Sequence, residues 1–213
     1  MIGEKDGEVL LLNGSPHKAG CTATALGLVQ GELEAAGVEC EAVWLGHDPS
    51  AGCMACHYCA THGACVRNDV VNELLPKFEE ADGLVVGSPV HYASATGTVT
   101  SVLDRLFYAK DFDTRFKVGA AVVSCRRGGA SATFDQLNKY FTISQMPVAS
   151  SRYWNSVHGN TPEDVLKDVE GCQTMRMLGR NLAFLVKSIA LGKEAYGLPE
   201  VEDPKWTNFA DGK

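Results

Sequence analysis

Short apolar runs alternate along this chain with longer segments in which apolar residues return every three or four positions. A strand buried on both faces of a parallel sheet carries an almost continuous apolar sequence, so the runs predict strands. One run instead alternates apolar and polar residues, which also indicates a strand. The predicted strands are residues 8–13, 38–45, 83–87, 118–125 and 146–150.

The segments between these runs have helical periodicity. Leu26, Val29 and Leu33 are spaced for one face of a helix, and Gly37 supplies a stop after it. The same reasoning predicts helices over residues 70–81, 99–107 and 131–140.

The C-terminal part of the chain begins with a helix-start pattern. Thr161 and Pro162 suit an N-cap and a first helical residue. The helix is predicted to run to about residue 189, with Gly171 and Gly179 as weak points. The last twenty or so residues contain two prolines and little periodicity, which predicts a tail or arm.

Strands that alternate with helices predict an α/β fold, a doubly wound sandwich around a central parallel five-stranded sheet. A length of 213 residues suits one domain spanning 1–213. Within it we expect a cysteine-rich loop at 52–66 and a C-terminal helix and arm at 161–213.

Charge and hydropathy exclude several classes of partner. A net charge of -7 argues against nucleic acid, because phosphate binding needs clustered Lys and Arg. The best candidate for a membrane span, residues 178–191, is interrupted by polar residues, and no signal peptide is recognisable at the N-terminus. We therefore expect a cytoplasmic protein whose eight cysteines are reduced, with no membrane or nucleic-acid partner.

Unusual residues follow the first predicted strand. Ligands of doubly wound sheets bind at the carboxyl ends of strands. The loop at 13–22 combines small residues with Ser15, Lys18 and Thr22 just before a helix, an arrangement that suits a phosphate monoester. It matches neither a nucleotide-triphosphate loop nor the dinucleotide glycine pattern. A turn of small residues without a ligand is the alternative for this loop taken alone.

Two later strands end in loops of similar character. At 87–97, Pro89 stiffens a turn in which small residues, His91 and Tyr92 could form a wall for a flat ring. At 124–131, paired glycines allow a close backbone approach to a ligand, and the adjacent arginines could supply charge. Three such loops at successive strand ends predict one binding site.

Four of the eight cysteines, Cys53, Cys56, Cys59 and Cys65, lie within thirteen positions. Consecutive two-residue gaps resemble the compact run of bacterial ferredoxins and favour a [4Fe–4S] cluster. Zinc is usually held by two separated cysteine pairs or by Cys and His pairs, and the neighbouring histidines at 57 and 62 keep it as an alternative. Reduced thiols without a metal are the third possibility.

Together these motifs resemble the flavodoxin-like, NADPH-dependent FMN reductase superfamily. The matching stretches are Gly-Ser-Pro-x-x-x-Gly-x-Thr at 14–22 and Gly-Ser-Pro-Val-x-x-x-Ser-x-x-Gly at 87–97, with Asp104-Arg105 downstream. The four-cysteine motif between them makes the chain similar to the iron–sulfur flavoprotein branch. The resemblance extends over residues 9–137.

The resemblance implies FMN as the cofactor, NAD(P)H as a transient donor and a flavodoxin-like fold. The first loop would hold the phosphate, and the other two loops would hold the ring. The implied cofactor-binding residues are Ser15, His17, Lys18, Gly20, Cys21, Thr22, Pro89, Val90, His91, Tyr92, Ser94, Thr96, Cys125, Arg126, Arg127, Gly128 and Gly129. The implied partners are a small-molecule or redox-protein donor and acceptor, and further copies of the chain in a homodimer or homotetramer.

The expected function is an FMN-dependent oxidoreductase of the NAD(P)H-dependent FMN or quinone reductase type, with no catalytic acid or base identified. The alternatives are a non-enzymatic electron carrier that docks protein partners and a zinc-stabilised binding module.

Three further residues carry specific expectations. Position 21 is commonly Asn in the family that the chain resembles, and here it is Cys, so a side-chain amide donor is lost. A thiol at a helix N-terminus can have a lowered pKa, which makes Cys21 a candidate redox residue. Tyr153 and Trp154 are predicted to belong to the core, with stacking on a flavin as the alternative.

Overall fold

A computed structural model describes residues 7–48, 50–203 and 205 of the chain. Its five strands are β1 (Glu8–Asn13), β2 (Glu39–Trp44), β3 (Gly83–Pro89), β4 (Val118–Cys125) and β5 (Ser156–His158). They form one parallel sheet in the order β2-β1-β3-β4-β5. This is the strand order of the flavodoxin-like doubly wound fold, which confirms the predicted fold class.

Helices cover both faces of the sheet. One face carries α1 (Cys21–Ala35), α6 (Pro162–Lys167) and α7 (Val169–Tyr196), and the other carries α3 (Val70–Glu80), α4 (Gly97–Ala109) and α5 (Ala130–Ile143). The single turn α2 (Cys59–His62) lies inside the cysteine-rich loop.

Strand β1 shows why a continuous apolar run is needed at the centre of this sheet. Val9 and Leu11 belong to the hydrophobic cluster beneath α1 and α7. Leu10 and Leu12 belong to the cluster beneath α3, α4 and α5. Since successive side chains of a strand point to opposite faces, a central strand covered on both faces requires apolar residues at every position.

The predicted fifth strand at 146–150 is wrong. Within the described residues this segment forms a single bridge to the sheet, at Val148 opposite Gly119. Pro147 has no backbone N–H to donate to a strand ladder, and it only accepts a hydrogen bond of 2.8 Å from the Gly119 amide. The segment is apolar because Met146 and Ala149 are buried in the core. The fifth strand lies further along the chain, at Ser156–His158.

The predicted C-terminal helix is two helices. Thr161 caps α6 as predicted, with its Oγ1 accepting a hydrogen bond of 3.3 Å from the amide of Asp164. The helix ends before Asp168, whose carboxylate caps α7 by accepting a hydrogen bond of 2.9 Å from the Gly171 amide. An aspartate that can hydrogen-bond nearby backbone amides favours a cap over a helix interior.

Helix α7 passes through both predicted weak points and continues to Tyr196. At Gly179 a Cβ atom would lie 2.7 Å from the carbonyl oxygen of Val29 in α1. This glycine therefore permits close packing of two helices and does not interrupt one. Residues 197–203 and 205 have no regular structure, and the rest of the predicted arm lies outside the described residues. None of the described helices is long and apolar enough to cross a membrane.

Candidate functional site

The three predicted loops meet around one cavity at the carboxyl ends of β1, β3 and β4. We call it the strand-end cavity; its volume is about 190 Å³. The predicted site residues that line it are Ser15, His17, Cys21, Thr22, Pro89, Val90, His91, Cys125 and Arg126. The structure therefore brings nine of the seventeen predicted residues together at the edge where ligands of such sheets bind.

The first loop is held in shape by its own polar groups. Asn13 Oδ1 accepts a hydrogen bond of 3.1 Å from the Ser15 amide, and Ser15 Oγ accepts one of 3.1 Å from the His17 amide. Trp44 Nε1 donates to the Ser15 carbonyl at 2.8 Å. Because Ser15 Oγ acts as an acceptor within the loop, its O–H proton is left for a ligand in the cavity.

The helix that follows this loop begins without a side-chain cap. In the part of the chain described, no side chain caps α1 at Gly20, and the first turn holds no acidic residue. The helices α3, α4, α6 and α7 are all capped by an Asp or Thr side chain. Uncapped first-turn N–H groups and the positive end of the helix dipole are a binding site for an anion.

Two hydroxyl groups face each other in the cavity wall. Thr22 Oγ1 and Ser124 Oγ are 2.8 Å apart, and both residues are buried. One hydrogen bond between two hydroxyls uses one of their two protons, so the pair retains one donor. Ser124 was not among the predicted site residues.

Hydrogen bonds and a close backbone approach hold the first two loops together. The Gly14 amide donates to the Gly87 carbonyl at 2.9 Å, and Thr96 Oγ1 donates to the Gly14 carbonyl at 2.9 Å. A Cβ atom on Gly14 would lie 1.8 Å from Val99 Cγ2. Glycine is therefore required at this position, and Thr96 supports the loop from outside the cavity.

The third loop is tied to the second in a similar way. Gly129 has a φ of 92°, and a Cβ atom there would lie 2.8 Å from Cα of Ala93. The Val90 amide donates to the Ser124 carbonyl at 2.9 Å. The two loops that were predicted to hold a ring thus pack directly on one another.

Eight predicted residues do not line the strand-end cavity. Tyr92 is fully exposed, and Ser94 Oγ donates to Gln136 Oε1 at 2.9 Å on α5. Lys18 Nζ lies 5.8 Å from the centre of the Trp44 ring. The remaining residues of this set, outside the lining, are Gly20, Thr96, Arg127, Gly128 and Gly129.

Two residues that were not predicted, Gly159 and Asn160, also line the strand-end cavity. They directly follow β5, and the Gly159 amide donates to the Cys125 carbonyl at 3.2 Å. A correct position for the fifth strand would have revealed them, because they form one more loop at the carboxyl end of a strand.

The expectation of a lowered pKa at Cys21 is wrong. Burial raises the pKa of this thiol, which outweighs the lowering effect of the backbone amide at the helix start, and the carboxylates of Asp164 and Glu163 add to the increase. Burial also raises the pKa of Cys125 across the cavity. Both thiols are therefore favoured in their neutral forms.

The four clustered cysteines line a second cavity, which we call the cysteine cavity. Its volume is about 260 Å³, and Cys53, Cys56, Cys59 and Cys65 all contribute to its wall. Among the described residues, no three His, Cys, Asp or Glu side chains converge on a point where one metal ion could bind. All four cysteines therefore border one space.

The cysteines differ in how firmly they are held. Cys53 and Cys56 are exposed, whereas Cys59 and Cys65 are half-buried. The Cys65 amide donates to Asn72 Oδ1 at 2.8 Å, and Asn72 Nδ2 donates to the Cys65 carbonyl at 3.0 Å. Residue 65 is therefore fixed to α3 by both of its backbone polar groups.

A buried arginine lies behind Cys65. Arg105 on α4 is 2% exposed, and its Nη1 lies 3.7 Å from the Cys65 sulfur. Burial alone would lower the pKa of Arg105, but hydrogen bonds to Asp69 and Cys65 outweigh burial and raise it, so the guanidinium stays charged. Asp104-Arg105 is part of the motif that resembles the family, but no role was predicted for Arg105.

A third cavity, of about 390 Å³, lies next to the strand-end cavity. Pro16 and His91 line both this cavity and the strand-end cavity. Ser50 and Ser101 also line it, and Ser101 Oγ lies 4.0 Å from the position that a Cβ atom on Gly52 would take. The cysteine-rich loop therefore lies beside the loops at the strand ends.

The aromatic pair before β5 is not part of the core. Tyr153 is 60% exposed and Trp154 is 55% exposed, with their rings 5.0 Å apart. The prediction that they belong to the core is wrong. The alternative that one of them stacks on a flavin stays a prediction.

Comparisons with known protein sequences show what this chain is similar to. Residues 8–161 match the family model for the NADPH-dependent FMN reductase. An iron–sulfur flavoprotein of Methanocaldococcus jannaschii is 32% identical over 190 residues, which cover 85% of this chain and 98% of that protein.

Two solved structures share the fold at low identity. The NAD(P)H:quinone oxidoreductase from Methanothermobacter marburgensis has a TM-score of 0.63 at 19% identity, over 83% of this chain and 96% of that one. A flavodoxin from the domain Archaea has a TM-score of 0.56 at 16% identity, and the match covers 84% of this chain and 98% of that one. The chain therefore belongs to the NADPH-dependent FMN reductase family, in the branch of the iron–sulfur flavoproteins.

Proposed function

We propose that this protein is an FMN-dependent oxidoreductase that passes electrons from a reduced nicotinamide to an acceptor through its flavin and a [4Fe–4S] cluster. The observation that carries the proposal is the strand-end cavity. An uncapped helix start and the Ser15 hydroxyl border the same space as the loops after β3 and β4. FMN has the matching chemistry, a phosphate monoester joined to a flat ring.

The residues present fit this cofactor. The amides at the start of α1 and the hydroxyl of Ser15 would hold the phosphate, because both are donors beside the positive end of a helix. Pro89, Val90 and the 125–126 backbone would border the ring. Bound flavin supplies hydride and electron transfer, and the protein contributes binding, orientation and exclusion of water.

We favour a cluster over zinc at the cysteine cavity because of the cysteine spacing. Zinc is usually held by two separated cysteine pairs or by Cys and His pairs. Here three cysteines follow one another at two-residue gaps, as in the compact run of bacterial ferredoxins, and all four thiols line one cavity. Cys53, Cys56, Cys59 and Cys65 are the proposed ligands.

The partners we propose follow from this chemistry. The donor is NADH or NADPH, and the acceptor is a small molecule or a redox protein. A quinone is the first acceptor to test, since the structurally similar enzyme from Methanothermobacter marburgensis is named for that substrate. We further propose a homodimer or homotetramer.

The phosphate site is tested by removing two hydroxyls from the strand-end cavity. In a Ser15→Ala/Thr22→Val variant the FMN phosphate loses hydrogen-bond donors that contribute roughly 1.5–3 kcal/mol each when the acceptor is charged. FMN should bind at least tenfold more weakly in a fluorescence titration, while riboflavin, which lacks the phosphate, should be little affected. Thr100→Val on α4, which removes a hydroxyl that donates to the Gly97 carbonyl, is the matched control. Equal losses for FMN and riboflavin would contradict the phosphate assignment.

The redox assignment is tested on anaerobically purified protein. We expect flavin absorption bands over a broad iron–sulfur background, with about four irons and four sulfides per cluster, and NAD(P)H oxidation that depends on added quinone. Flavin and cluster without turnover would instead indicate an electron carrier. A colourless protein with stoichiometric zinc would indicate a zinc-stabilised module.

A further inference from the structure

We propose that Arg105 is a positioning residue that donates a charge-assisted hydrogen bond to Cys65 as a cluster ligand and thereby makes the reduction potential of the cluster more positive. This inference rests on the cluster proposed above. It concerns a residue of α4 that lies outside the cysteine motif and is not itself a metal ligand.

The first step is the position of the guanidinium between the two ends of the cysteine-rich loop. Its Nη2 donates to Ser50 Oγ at 3.1 Å, and its Nη1 lies within hydrogen-bonding distance of the Cys65 sulfur at 3.7 Å. Ser50 precedes the first cysteine of the motif, and Cys65 is the last. One side chain therefore holds both ends of the loop whose thiols line the cysteine cavity.

The second step is that the guanidinium cannot turn away. Asp69 accepts two hydrogen bonds from it, from Nη1 at 3.2 Å and from Nη2 at 2.8 Å. Nε donates to the Ser101 carbonyl at 3.4 Å. Asp69 Oδ1 also caps α3 by accepting from the Val71 amide at 3.1 Å, so the carboxylate is itself anchored. Only the planar fork of an arginine satisfies this set of partners at once.

The third step concerns the charge that the cluster gains. One-electron reduction adds negative charge to the iron–sulfur core and its thiolates, and hydrogen bonds to the sulfurs stabilise the reduced form. The Arg105 side chain is 2% exposed, whereas the side chain of Asp69 is 38% exposed. Water screens the carboxylate more than the guanidinium, so the positive charge dominates at Cys65.

A purely structural role for Arg105 makes a different prediction. If the arginine only fixed the loop to α3 and α4, its replacement would change how much cluster is assembled. The potential of any cluster that did assemble would stay the same. The potential therefore separates the two roles.

The test uses the holoprotein, purified and reconstituted anaerobically, with Arg105→Lys and Arg105→Gln variants. Iron, sulfide and FMN are measured first, and the cluster potential is then determined by a redox titration monitored by electron paramagnetic resonance. The flavin potential is followed by visible absorption in the same samples. Arg115→Gln is the control, because Arg115 also pairs with a carboxylate, Asp113, but does not line the cysteine cavity.

We expect Arg105→Gln to lower the reduced-to-oxidised ratio of the cluster at least tenfold at a fixed potential, which is a shift of about 59 mV for a one-electron couple. Arg105→Lys keeps the positive charge but loses the planar guanidinium, so it should shift the cluster potential by less. In both Arg105 variants the flavin potential should change by less than the cluster potential. In Arg115→Gln the cluster potential and the flavin potential should match those of the wild type.

A structural role would also predict loss of the cluster in Arg105→Gln, so in that case the potential measured in Arg105→Lys decides between the two roles. Loss of the cluster in both variants would overturn the inference in favour of a structural role. A loaded cluster of unchanged potential in both variants would overturn the inference and leave the proposed function intact. Wild-type protein that binds FMN but takes up no iron on reconstitution would overturn the proposed cluster, and the inference with it.

Discussion

The strand-end cavity and the cysteine cavity are neighbours, but they are stabilised in opposite ways. The walls of the strand-end cavity are joined by backbone hydrogen bonds between loops, including Gly14 to Gly87 at 2.9 Å and Val90 to Ser124 at 2.9 Å. Each of these loops leaves a strand whose register is set by the sheet. This cavity is therefore shaped by the fold before any ligand binds.

The cysteine cavity has much weaker support on one side. No backbone hydrogen bond between described residues involves positions 51–56. Ala55 and His57 have φ values of 52° and 58°, a region that is uncommon for residues other than glycine. The Cys65 end is fixed by Asn72 and Arg105, and on the other side Arg105 holds only Ser50, which precedes the first cysteine.

This difference indicates how each site acquires its ligand. A preformed site loses little conformational entropy when it binds, whereas a loop that must be ordered depends on the binding energy of its metal group. We therefore expect flavin binding to depend on fold stability and cluster binding to depend on each individual thiol.

The largest expected effect comes from substitutions in the cysteine cavity alone. Replacing any one of Cys53, Cys56, Cys59 or Cys65 by Ala should abolish or severely degrade the cluster, because one corner loses its ligand. FMN content should stay at the wild-type level, as its loops are built separately. Iron and sulfide assays together with the flavin absorption bands measure both. Cys40→Ala in β2 is the control and should keep its iron.

The second expected effect comes from a substitution beside the strand-end cavity alone. In Gly14→Ala the new Cβ would lie 1.8 Å from Val99 Cγ2, so the loop or α4 must shift. We expect a loss of roughly 1–3 kcal/mol in the free energy of unfolding, and weaker FMN binding. Urea denaturation and FMN titration measure these two effects.

Gly27→Ala in α1 is the matched control, because a Cβ atom there has no neighbour within 4 Å among the described residues. It should stabilise the protein by about 0.5–1 kcal/mol, since alanine favours a helix over glycine. If Gly14→Ala also removed the iron, the two cavities would not be independent.

A smaller effect would sharpen the comparison by improving the strand-end cavity. Cys21→Asn restores the side-chain amide donor that is common at this position in the family. A new hydrogen bond of roughly 0.5–1.5 kcal/mol would tighten FMN about two- to tenfold. Riboflavin affinity should not change, and a gain for riboflavin as large as that for FMN would place residue 21 beside the ring.

The smallest expected effect concerns the exposed aromatic pair. Trp154→Leu should change the free energy of unfolding by no more than about 0.5 kcal/mol, because the side chain is 55% exposed. The buried Phe141→Ala should by contrast cost roughly 3–5 kcal/mol. A loss of several kcal/mol at Trp154 would show that a partner copy covers it. Strong quenching of the protein's tryptophan fluorescence by FMN, most of which disappears in Trp154→Leu, would support stacking of Trp154 on a flavin.

Much of the fold and part of the site could be predicted from the sequence. The first four strands and the helices between them follow from periodicity, because a core on both faces of the sheet demands apolar residues at fixed intervals. The fifth strand could not be recognised, since Ser156–His158 has three residues and only Val157 is buried. Two cavity residues, Gly159 and Asn160, were missed for the same reason.

The sequence by itself determined which loops carry binding chemistry and that four thiols lie close together. Tertiary structure decided which of those residues reach the cavities. The hydroxyls of Thr96 and Ser94 donate hydrogen bonds that hold the loops. Burial raises the pKa of Cys21, and the position of this residue at a helix start could not reveal that increase. Only packing brings Arg105 against Cys65, forty positions earlier in the chain. Spacing along the chain sets which groups can meet locally, but burial and long-range contacts set their charge and their partners.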